Sequence, residues 1–145
     1  MLNNVSSIFD NMVPMLRKIK KKNYEERTNS FKDNYGHYID EMTAYVDASE
    51  DKDVAVEKIA QIFIEDVKAK YEVKGKINGR VQADMNFFMI YFVFPAILLT
   101  ENENATKLAD GICAKWGASF KNSNIGYTTY DKLYSSFKEK IFGIF

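Results

Sequence analysis

The chain has 145 residues, 46% of them apolar and 28% charged, which suits one globular domain whose core needs no covalent staples. Its 20 basic and 20 acidic residues cancel, which argues against nucleic acid as a partner bound through a broad positive footprint. Cys113 is the single cysteine and excludes an internal disulfide. The bases near the N-terminus follow its apolar part, the reverse of a secretory signal, so a cytoplasmic location is expected.

Ile8, Phe9, Met12, Leu16 and Ile19 recur with helical spacing over 6–22. Pro14 falls inside this pattern, so the helix either starts near it or is kinked there. Arg17–Lys22, "RKIKKK", places five bases in six residues. Such a run complements a helix C-terminus, or it contacts an anionic surface or a partner groove.

A second helix is predicted from Asn23 or Ser30 to about Asp47, with Phe31, Tyr35, Tyr38, Ile39, Met42, Tyr45 and Val46 forming a wide apolar stripe. Asp33, His37 and Glu41 stand four apart along one face of it. That row reads as a solvent-facing polar stripe, or as a metal or proton-relay site. Metal arithmetic is unfavourable: His37 is the only histidine, too few for a di-iron bundle or a Cys/His zinc site, so no metal or cofactor is expected.

The stretch "SEDKD", Ser49–Asp53, interrupts the pattern, and its acids suit the start of a third helix over about 53–72. Val56, Ile59, Ala60, Phe63, Val67 and Tyr71 face inward on that helix. Asp40 to Asp66 holds nine acids against two lysines, a counterpart to the basic run. "VKGKINGRV", Val73–Val81, reads as a loop accommodating a short hairpin near 73–83, with Asn78-Gly79 as its turn. Lys76 and Arg80 there either hold an anion or are solvated.

The fourth helix is predicted over about 81–99 and contains thirteen consecutive apolar residues, Phe87–Leu99. A span needs about 20 such residues, so the chain is read as not transmembrane and this helix as the spine of a core. Pro95 has no N–H to offer the Tyr91 carbonyl, which marks a kink. Asn86 and Tyr91 on this helix, with Trp116 on the next, are the candidate ligand-binding residues for an apolar small molecule held between 81–99 and 101–121. Ordinary packing around a buried water accounts for the same residues.

"TENE", Thr100–Glu103, matches a capping box, so a fifth helix is expected to begin at once over 101–121, antiparallel to the fourth. Ala105, Ala109, Cys113 and Gly117 form a small-residue ridge on it, for which the aromatic fourth helix is the natural occupant. A cysteine on such a ridge is expected to be buried and inert. "KNSNIGY", Lys121–Tyr127, reads as a loop. Thr128 and Asp131 resemble a second cap, before a last helix with Tyr130, Leu133, Tyr134, Phe137 and Ile141 on one side. The chain ends on the apolar "IFGIF", Ile141–Phe145.

Neither a G-x-S-x-G elbow nor a phosphate-binding G-x-x-x-x-G-K-[ST] loop occurs, and no catalytic residue is assigned. The fold class expected is all-α, a single domain over 1–145 built as a bundle of five to six helices around the central apolar helix. The functional expectation is a non-enzymatic protein-interaction or self-association module, a homo-oligomer. The alternative is a small-molecule sensing domain.

Overall fold

The computed structural model describes residues 5–18, 24–120, 124–125 and 128–143. It is an all-α bundle. A 3-10 turn, Val5–Phe9, leads into α1 (Met12–Arg17), followed by α2 (Tyr24–Asp47) and α3 (Lys52–Tyr71). The central helix is made of α4 (Gly79–Phe88), a π-helical turn (Met89–Val93) and α5 (Phe94–Leu98). The chain then forms α6 (Ala105–Ser119), a pair of two-residue strands, β1 (Asn124–Ile125) and β2 (Thr128–Thr129), and α7 (Tyr130–Gly143). The strands are antiparallel, with Asn124 opposite Thr129.

Each long helix follows from its apolar spacing. On α2, Phe31, Tyr35, Ile39, Met42 and Val46 are buried at steps of three and four. On α3 the buried set is Ala55, Val56, Ile59, Ala60, Phe63, Ile64 and Val67. Pro14 stands in the first turn of α1, where its missing N–H costs nothing, so the first helix starts near it. Residues 19–23 lie outside the described part.

The connections obey local polar chemistry. Asp51 accepts the Val54 N–H at 3.2 Å and caps α3, while the Lys52 ammonium bonds the Asp47 and Ser49 carbonyls and closes the end of α2. Two expectations are corrected here. Asn78-Gly79 is not a hairpin turn: Asn78 accepts from Arg80 N at 2.9 Å and Val81 N at 3.4 Å, which makes it the N-cap of α4. The tight turn falls earlier, at Lys74-Gly75, with φ of 52° and 76° and a single bridge joining Val73 to Lys76. Thr100–Glu103 is likewise no capping box. The Thr100 hydroxyl bonds back to the Ala96 carbonyl at 2.8 Å, and α6 starts only at Ala105, after the N-cap Asn104. Thr100 serves the helix before it because its hydroxyl reaches the carbonyl four residues back.

The central helix spans Gly79–Leu98, 20 residues rather than the thirteen of its apolar run, and is by length and composition enough to cross a membrane; 67% of its most apolar window is buried by the rest of the fold. It packs against α1, α2, α6 and α7. Its π turn sits one residue ahead of Pro95: the Phe94 N–H reaches back five residues to Met89 O. Widening the helix there accommodates the proline, which cannot donate. Phe9 from the 3-10 turn inserts among Phe63, Phe88 and Trp116, with ring centroids 5.5–6.2 Å apart. One continuous core results.

Candidate functional site

The residues proposed to line a ligand pocket divide into two groups. Trp116 and Asn86 are 0% and 1% exposed, and the indole N–H donates to Asn86 Oδ1 at 2.8 Å. The indole N–H and the Asn86 carbonyl oxygen therefore satisfy one another, and the pair ties α6 to α4 in antiparallel order. Tyr91 is half-buried elsewhere, stacked on Phe87 at 6.0 Å and edge-on to Phe137 at 5.8 Å, with the Arg27 guanidinium 5.6 Å from its ring centre. The structure thus brings Asn86 and Trp116 together and leaves Tyr91 on the α2 and α7 side.

Asp33, His37 and Glu41 are all exposed on α2. Among the described residues, no three His, Cys, Asp or Glu converge as metal ligands would. Arg17 and Lys18 are exposed at the end of α1, while Ile19–Lys22 fall outside the described residues. The backbone of α7 reaches Gly143, and Ile144 and Phe145 also fall outside.

Two polar clusters hold the helix ends. Asn104 and Asn102 donate to the two Asp47 carboxylate oxygens at 2.6 and 2.8 Å, which lowers the Asp47 pKa and fastens the α5–α6 connection to α2. Between α6 and α7, Asp110 of α6 accepts from the Tyr134 hydroxyl at 2.7 Å and the Lys138 ammonium at 2.9 Å, both from α7. Burial, then the bond to Asp110, raises the Tyr134 pKa well above its ordinary value. Cys113 beneath them is buried, and its thiol is pushed up to about 12 by desolvation first and the Asp131 and Asp110 charges second. A thiolate is disfavoured there.

The small-residue ridge of α6 serves more neighbours than the central helix. Gly117 looks toward Asp131 of α7, whose Oδ1 lies 3.2 Å from where a Cβ would stand. A second small ridge, Gly111, Ala114 and Ala118, was not singled out in the sequence, although its spacing of three and four was there to find. It accompanies the most extensive helix contact among the described residues, α3 against α6. A Cβ on Gly111 would lie 2.3 Å from Val56 Cγ1, so glycine is required for this approach. Asp53 pairs with Lys107 at 2.7 Å, Val56 meets Gly111, and the Phe63 and Trp116 rings are 6.1 Å apart, so the two helices run parallel.

Close approach of small residues leaves a shallow groove open to solvent along α3 and α6. Its volume is about 350 Å³ and its walls are almost wholly apolar. Val56, Ala60, Gly111, Ala114 and Ala118 line it; Asp53 and Glu57 edge the α3 side, and Lys115 edges the α6 side. Ala114 and Ala118 are exposed. A separate depression between α1 and α2, over Phe92, holds about 210 Å³ and is edged by Asn11, Lys18 and Asn34. That is less than the roughly 300–1,000 Å³ of ligand clefts.

No known protein family, characterised protein or solved structure matches this chain.

Proposed function

We propose that this protein is a non-enzymatic protein-interaction module that associates with copies of itself. The observation that carries the reading is the groove between α3 and α6. An open apolar strip with charged edges matches the anatomy of an interface, a dry centre and a polar rim. Supporting it, buried and half-buried polar groups bond to one another rather than lining a cleft: Trp116 to Asn86, and Tyr134 and Lys138 to Asp110. Alanine and glycine offer a protein partner backbone-level access that bulky side chains would block.

Gel filtration coupled to light scattering tests the reading over a concentration series. The expected outcome is a mass above that of one chain, 16.8 kDa, growing with concentration. A mass of one chain at every concentration would overturn self-association.

A further inference from the structure

The geometry points to one arrangement: a symmetric homodimer in which the α3–α6 groove of each copy faces the other, about a two-fold axis parallel to both helices. This deepens the interaction reading above and rests on it. Asp53 and Lys107 neutralise one another within one copy, which leaves Glu57 as the acid of the α3 edge and Lys115 as the base of the α6 edge. A two-fold contact uses the same patch on both subunits, so the patch must complement itself.

Two in-plane axes bring the faces together. An axis perpendicular to the helices lays α3 on α3 and α6 on α6, so the acidic edge meets the acidic edge and the basic edge the basic edge, which is unfavourable. An axis parallel to the helices lays α3 of one copy on α6 of the other. The α3 edge with Glu57 then meets the α6 edge with Lys115 in both directions, the two about 4–5 Å apart in height and within reach of their long side chains, and like charges are kept apart. The helices run parallel within one copy, so all four run parallel in the dimer. Exposed Ala114 and Ala118, with half-buried Gly111, sit at the centre, where their small size lets the second pair approach closely. A foreign partner would have to carry the same acid-and-base pattern; a second copy has it already.

The test uses the full chain and sedimentation equilibrium, with circular dichroism to check folding of each variant. Ala114→Glu is expected to leave a monomer, since it places a charge at the centre of the contact. Glu57→Lys alone and Lys115→Glu alone are each expected to weaken the dimer about tenfold or more by setting like charges face to face. The double variant Glu57→Lys/Lys115→Glu is expected to restore it. A dimer that all of these variants leave unchanged would overturn this interface while leaving self-association standing. Single swaps that weaken the dimer, with a double swap that does not restore it, would overturn the two-fold arrangement. A wild-type chain that is monomeric throughout would overturn the broader reading as well. The exposed Glu57 variant keeps the test decisive if Ala114→Glu does not fold.

Discussion

Trp116 and Asn86 form a buried hydrogen bond of 2.8 Å that joins α6 to α4, the first part of the central helix. Neither residue is more than 1% exposed, so Asn86 Oδ1 stands in for the water that the indole N–H would otherwise bond. Trp116 also meets Phe9 and Phe63 ring to ring, so the bond holds a large aromatic in one orientation at the centre of the core.

Breaking this pair from both sides should cost less than the two one-sided breaks added together. Asn86→Leu strands the indole N–H, and a stranded buried polar group costs about 1–3 kcal/mol. Trp116→Phe removes the donor and leaves a cavity as well, about 2–4 kcal/mol from volume and the lost bond together. In Asn86→Leu/Trp116→Phe no polar group remains unmatched, so the double variant should lose less than the sum of the single losses. Urea unfolding of the four proteins provides the check. Strict additivity would mean that the bond contributes nothing beyond its parts.

Gly111→Ala sets helix propensity against fit. In an exposed helix the change would gain about 1 kcal/mol. Here the new Cβ lies 2.3 Å from Val56 Cγ1 of a buried valine, and overpacking of this kind costs about 1–3 kcal/mol. The expected result is a lower melting temperature in the native background. In a Val56→Ala background the obstruction is gone, so Gly111→Ala should stabilise. The same sign in both backgrounds would mean that α3 and α6 do not meet at this point.

The all-α class and the helix positions were legible because burial follows spacing. Phe31, Tyr35, Ile39 and Met42 are buried where a helical stripe requires. The small alanines and glycine at 111, 114 and 118 were not, because small residues carry no hydropathy signal that separates core from surface. Their meaning depends on what lies opposite, and Val56 is 55 residues away in sequence. The polar pairings were hidden for the same reason. Asn102 and Asn104 reach Asp47, and Asp110 meets Tyr134, only once the chain has folded. Thr100–Glu103 matched a capping pattern, yet its threonine found a carbonyl one turn behind it before any N–H ahead.

The two sides of the pH profile should have different owners. Bonds from Asn104 and Asn102 lower the Asp47 pKa, so Asp47 contributes stability that is present above its unfolded value of about 3.9 and lost as the pH falls through the lowered value. Asp47→Asn should therefore flatten the acid limb below about pH 4. Cys113 behaves in the opposite sense. Its ordinary value is 9.0 and burial raises it to about 12, so the thiol form is favoured in the native state. That contribution is complete below pH 9.0 and declines as the pH rises toward 12. Cys113→Ala should reduce the alkaline loss, as read from melting temperatures between about pH 8.5 and 10.5. In the native protein at neutral pH, Cys113 should react with a disulfide reagent only slowly, and fully after unfolding in urea.

Lys74 carries a positive φ of 52° that a lysine side chain does not favour, followed by Gly75 at 76°. Positive φ at both central residues is the geometry of a type I′ turn, for which Asn-Gly is preferred. The chain has its Asn-Gly four residues later, at Asn78-Gly79, and spends it on capping α4. Lys74→Asn should therefore stabilise the fold by about 0.5–1 kcal/mol, since asparagine tolerates the left-handed region. Gly75→Ala should destabilise it by about 1–2 kcal/mol, for a Cβ there opposes the same handedness. Asn78→Ala should cost about 1 kcal/mol by removing the cap. Denaturation midpoints of the three variants decide the matter. Were Asn78-Gly79 the turn and Lys74-Gly75 ordinary loop, Lys74→Asn would leave stability unchanged and Gly79→Ala, which in this structure meets open space, would be strongly destabilising.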